Sequence, residues 1–118
     1  MLKLTCALML SWLTAFAADV SGVWQLVVET NRGTGSPKMM VQQQGEQITG
    51  TISSRILGES TITGTVKGNV VEFGFEGELQ GKLIKVSYKG KIESPTTMKG
   101  TAVYDGLDVK ATWSATRK

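Results

Sequence analysis

The chain has 118 residues, with 13 Lys and Arg against 10 Asp and Glu, no His and a single Cys; this length supports one hydrophobic core and excludes a second domain. The net charge of +3 falls by one if Lys3 leaves with a leader, too small an excess to point to nucleic acid. Fourteen Gly and two Pro, the glycines scattered from Gly22 to Gly106, leave ordinary helices almost nowhere to sit.

The N-terminus reads as a cleavable signal peptide. Lys3 gives it a positive start, Leu4 to Phe16 is almost wholly apolar, and Ala15-Phe16-Ala17 presents small residues where a signal peptidase reads. Cleavage is expected after Ala17, leaving residues 18–118 as one exported domain, periplasmic or secreted. The apolar run is shorter than the roughly 20 residues a membrane span needs, so no transmembrane anchor is expected. Cys6 leaves with the leader, so the mature chain has no disulfide and no thiol nucleophile.

From there the signal is period-two alternation between turn residues, the pattern of strands with one wet face. Val23 to Thr30 places Trp24, Leu26 and Val28 on one face, and Lys38 to Gln43 does the same with Met39, Val41 and Gln43. Gln44-Gly45-Glu46 turns the chain into Gln47 to Arg55, with Ile48, Gly50 and Ile52 inward. Leu57-Gly58 leads to Ser60 to Val66, with Ile62, Gly64 and Val66 inward. After Lys67-Gly68-Asn69, Val70 to Glu76 turns Val71, Phe73 and Phe75 inward, and Gly77 to Gly81 reads as a looser loop. Lys82 to Ile92 alternates most cleanly, with Ile84, Val86, Tyr88 and Ile92 opposite Lys85, Lys89 and Lys91. Thr97 to Tyr104 carries Met98, Gly100, Ala102 and Tyr104 inward. Asp105-Gly106 is a type I′ hairpin signature, and Leu107 to Thr116 follows with Val109, Ala111 and Trp113 inward.

A motif of apolar, polar, Gly, polar, apolar recurs at Ile48–Ile52, Ile62–Val66, Tyr88–Ile92 and Met98–Ala102. Each Gly lies mid-strand on the inward face, where it permits tight bending or close approach of a neighbouring strand. Eight short strands joined by short turns predict an all-β fold, an eight-stranded antiparallel up-and-down barrel. Closure removes unpaired edges, although a two-sheet β-sandwich also satisfies the alternation.

Gly22-Val23-Trp24 at the start of the first strand and Thr112 to Arg117 at the end of the last resemble the calycin pattern of lipocalins and avidin-type barrels. That resemblance implies a basic residue, Arg117, packing over Trp24 to form a structural pair at the closed end. Ile48-Thr49-Gly50-Thr51 and Val66 to Phe73 are also similar to segments of small exported bacterial proteins of no established activity.

Without His or a mature Cys, nucleophilic triads and ordinary zinc sites lack their parts. No metal, cofactor or catalytic residue is expected. Glu76 with Glu78, and Asp105 with Asp108, read as solvated charges rather than an acid–base pair. Asn31 to Pro37 reads as a flexible loop, since no helix follows to make it a phosphate cradle. Lys85, Lys89, Lys91, Lys99 and Lys110 form a basic outer face that suits either solvation or an anionic polymer.

The candidate site is therefore the interior, where Trp24, Phe73, Phe75, Tyr88, Tyr104 and Trp113 converge. Any pocket opens among the loops near Asn31–Pro37, Leu57-Gly58, Gly77–Gly81 and Asp105-Gly106. Two non-enzymatic readings follow. One is an exported barrel that binds a small apolar ligand. The other is a solid barrel acting on an extracytoplasmic protein partner as an inhibitor or accessory subunit.

Overall fold

The computed structural model describes residues 18–55, 57–105 and 109–118, and every regular element among them is a strand. In chain order these are β1 (Gly22–Thr30), β2 (Gly33–Gly35), β3 (Lys38–Gln44), β4 (Gln47–Ser54), β5 (Gly58–Lys67), β6 (Val70–Leu79), β7 (Lys82–Ser94), β8 (Thr97–Asp105) and β9 (Val109–Arg117). Consecutive strands from β3 to β9 pair antiparallel. The seam is closed by β1, which pairs with β9 from Trp24 opposite Arg117 to Thr30 opposite Ala111. Along its other edge β1 pairs with β3 through Gly22–Gln25 and with β2 through Val28–Thr30. One sheet thus closes on itself as an eight-stranded barrel, β2 being a short forerunner of β3, and the sandwich alternative is set aside. The expected leader lies outside the described residues.

Alternation along each strand sets what is inside. β9 is the cleanest case, with Val109, Ala111, Trp113 and Ala115 buried and the residues between them exposed. Those four continue a core that runs from Val20 through Trp24, Leu26, Ile62, Val86 and Met98. Burial of such side chains is worth about 1.5–3 kcal/mol each, and it locks the register, because a one-residue slip would turn a whole set outward.

The recurring glycines mark where a neighbouring strand leaves no room for a side chain. A Cβ on Gly50 would fall 1.9 Å from the Met40 carbonyl oxygen, and one on Gly100 would fall 2.0 Å from that of Lys89. Gly64 and Gly90 meet the Glu72 and Lys99 carbonyls in the same way. Large side chains cover the gaps from inside: Trp113 stands opposite Gly100, and Phe73 opposite Gly64. Aromatic cover of a strand glycine restores the packing that the missing side chain gives up.

Three expectations about loops are corrected. Asn31–Pro37 is not a free loop, since Gly33–Gly35 pairs with β1 and the Leu26 N–H donates to the Pro37 carbonyl at 2.9 Å, carrying the ladder across the break. Proline is tolerated there because it sits at a bend between two strands. Gly77–Gly81 is mostly strand, with β6 running to Leu79 and a tight turn at Gln80-Gly81, where φ is +54° and +81°. Two positive φ values define the type I′ geometry that matches strand twist. Finally, Tyr104 pairs with Val109, whereas a two-residue Asp105-Gly106 turn would put Leu107 there. Gly106, Leu107 and Asp108 lie outside the described residues. The pairing differs from the expected one by an even number of residues, so the inward set on β9 is unchanged.

Candidate functional site

The two ends of the barrel differ. At the end where β1 begins, Ala18–Ser21 crosses the base as a strap, with Val20 buried against the core. The Trp24 indole N–H donates to the Val20 carbonyl at 2.9 Å, and the Val20 N–H donates to the Gln43 side-chain oxygen at 2.8 Å. The Arg117 guanidinium lies 4.8 Å from the centre of the Trp24 ring. It donates to the carbonyls of Asp19 at 2.7 Å, Pro95 at 3.0 Å and Ser21. Hydrogen bonds from Ser21 to the Asp19 carboxylate, with a lesser pull from Arg117, hold that acid below its ordinary value. One cation therefore ties the strap, the β7–β8 turn and the last strand over a buried indole. The base is sealed.

The middle of the barrel holds an aromatic cluster. Phe73 and Tyr88 stack with centroids 4.7 Å apart, and the Trp113 ring meets both edge-on at 5.7 and 5.5 Å. Phe75 lies 6.2 Å from Tyr88, one step nearer the opposite end. Each such pair is worth about 0.5–1.5 kcal/mol beyond its burial. Trp113 spends its N–H on the Thr101 carbonyl at 3.0 Å. Burial pushes the Tyr88 phenol far above its ordinary value, and the Tyr104 hydroxyl beside it adds to the rise. Tyr88 thus carries a neutral hydroxyl inside an apolar space.

The opposite end is less completely covered. Leu57, Leu79 and Tyr104 are only half-buried although they pack on the core, and Thr30, Ser54 and Ser60 are half-buried inward positions near the ends of their strands. Leu57 folds over β6, its Cβ standing 3.3 Å from where a Cβ on Gly77 would lie. This end therefore carries half-buried apolar side chains with the hydroxyls of Thr30, Ser54 and Ser60 beside them.

Of the six interior aromatics expected from the sequence, Phe73, Phe75, Tyr88 and Trp113 come together, with Tyr104 beside Tyr88. Trp24 stands apart in the sealed base with Arg117. Sequence reasoning missed the strap, because Val20 precedes the first strand and belongs to no alternating segment. It also missed Leu57 and Leu79, which fall where turns were expected.

The carboxylates do not converge. Glu76, Glu78 and Asp105 are exposed, the first two on β6 and the third at the end of β8. Asp108 lies outside the described residues. Among the described residues no group of three His, Cys, Asp or Glu side chains could hold a metal ion.

No protein-family model and no curated protein matches the chain. Solved structures do. A redesigned β-barrel, b11L5F_LGL, superposes with a TM-score of 0.68 at 19% identity, over 84% of this chain and 91% of that one. The barrel EF1p2_mFAP2b bound to DFHBI gives 0.62 at 20% identity, covering 84% and 94%. The redesigned barrel mFAP1, also bound to DFHBI, gives 0.61 at 18%, covering 83% and 94%. The likeness is one of fold. It pairs this chain with small closed barrels, two of which hold a ligand.

Proposed function

We propose that the protein is an exported, non-enzymatic barrel that binds a small, planar, apolar ligand at its open end. The observation that carries this reading is the contrast between the ends. One is sealed by Val20, Trp24 and Arg117 down to exposures of 0–1% for the two apolar side chains. The other presents Phe75, Tyr104, Leu57 and Leu79 beneath a ring of hydroxyls. A concave, mostly apolar site with a few polar groups at its lip is the usual form of a small-molecule site. An aromatic floor offers a planar ligand a stacking surface. Two barrels of the same fold bind DFHBI, which supports the reading. Export rests on the leader pattern around Lys3, Leu4–Phe16 and Ala17.

The test is a thermal-shift panel of planar apolar compounds, DFHBI among them, run on the processed protein and on Ala111→Phe, which fills the mouth from β9. At least one compound is expected to raise the melting temperature of the wild type, with the shift lost in Ala111→Phe. If no compound stabilises the wild type, or if stabilisation survives the filled mouth, the reading fails.

A further inference from the structure

The outer wall carries a groove distinct from the interior. It crosses β7, β8, β9 and β1 as an open trough of about 560 Å³, and has Gly90 and Gly100 with the edge of Trp113 as its floor. The strand register sets out its walls as two rows. One runs Lys89, Thr101, Thr112, Glu29, and the next runs Lys91, Lys99, Ser114, Val27. Glu93 closes one corner. Four strands span about 14 Å from first to last.

The charges in this groove are not placed for stability alone. Lys91 and Lys99 stand directly opposite each other, an arrangement of like charges that costs a sheet stability. Lys89 reaches Glu72 at 3.7 Å and Lys99 reaches Glu93 at 3.5 Å. Lys91 has no ion pair among the described residues. The three ammonium groups lie at one end, hydroxyls fill the centre, and the Glu29 carboxylate marks the far end. The glycine pair leaves the floor flat and bare.

From this we infer that the groove is a binding site for an acidic oligosaccharide. Its carboxylate or sulfate sits between Lys91 and Lys99, its hydroxyls meet Thr101, Thr112, Ser114 and Glu29, and a sugar face lies on the Gly90–Gly100 floor. Lys91, which has no ion pair among the described residues, gains an anion, and Lys99, held by Glu93 at 3.5 Å, shares it. The open shape suits a chain lying across the wall rather than an enclosed small molecule.

The experiment is calorimetric titration of the processed protein with tri-galacturonic acid, a sulfated disaccharide and neutral maltotriose at fixed ionic strength. The two acidic arms separate carboxylate from sulfate recognition. Acidic sugar is expected to bind and maltotriose not to, with Trp113 emission changing on binding. Lys91→Gln with Lys99→Gln is expected to weaken binding about tenfold or more. Lys67→Gln with Lys110→Gln, the same charge loss outside the groove, is expected to change it less than about twofold. The proposal is overturned if neither acidic sugar binds better than maltotriose, or if both double variants lose equal affinity, which would show attraction to net charge only. Ala111→Phe fills the interior without touching the groove, so its sugar binding is expected to be unchanged. Failure of the interior reading therefore leaves this one standing.

Discussion

Arg117 lies over Trp24 as its direct partner across the β1–β9 seam, so one residue pair closes the barrel wall and covers its base. The guanidinium combines a cation–π contact with donations to three backbone carbonyls. Arg117→Ala is expected to cost about 2–3 kcal/mol, since charged hydrogen bonds and a partly desolvated cation over indole are both lost. Arg117→Lys is expected to recover less than half, because a single ammonium nitrogen cannot span the three carbonyls that Nε, Nη1 and Nη2 reach separately. Urea unfolding of the three proteins measures both.

The strap makes a separate prediction. Val20→Asp places a carboxylate against the buried indole of Trp24 and removes the apolar plug. Trp24 emission is expected to shift to longer wavelength and become accessible to acrylamide in that variant. Trp113, buried among Phe73 and Tyr88 far from the strap, is expected to keep its environment, and single-tryptophan backgrounds separate the two signals.

Gly100→Ala tests the close approach of β7 and β8. The added methyl meets a backbone oxygen at 2.0 Å, which no rotamer change relieves. A loss of about 3 kcal/mol or more is expected, at the upper end of overpacking effects. Gly45→Ala is the control. Gly45 lies in a turn with φ +63° and open space around it, so its cost is expected near 1 kcal/mol, from backbone strain alone.

Tyr88 links stability to alkaline pH. Burial raises its phenol in the folded state above the ordinary value of 10.0, so above about pH 10 the unfolded chain loses a proton that the folded barrel keeps. The unfolded state then binds fewer protons, and stability falls as pH rises, by up to about 1.4 kcal/mol per pH unit. Below pH 10 this contribution is fully present. Tyr88→Phe is expected to flatten that slope in denaturation curves taken from pH 9 upward.

The sequence made the wall legible because each strand buries one face only. Lys82–Ile92 and Val109–Trp113 show this in its plainest form, and the mid-strand glycines forecast the close approaches where neighbouring carbonyls now sit. What alternation could not reveal lies at the ends. Gln80 adopts a positive φ that its residue type does not announce, so β6 runs on to Leu79, beyond its expected limit at Glu76. The bulge between Ile92 and Ser94 breaks period two within a single residue. Val20 gains its role only from a base assembled by strands far along the chain. The interior aromatics were visible as a set, but their division into a central stack and a lone sealed indole depends on height along the barrel axis, which alternation does not encode.

The Arg117–Asp19 contact joins positions 98 residues apart, so the closing seam cannot help to start folding. Until the intervening hairpins have zipped in order, the growing sheet carries two raw edges, and the entropy of bringing its extremities together must be met before any seam bond repays it. Pairing of the last strand with the first is therefore expected late in folding. A molecule caught before that step exposes the surfaces on which sheets of neighbouring chains would grow.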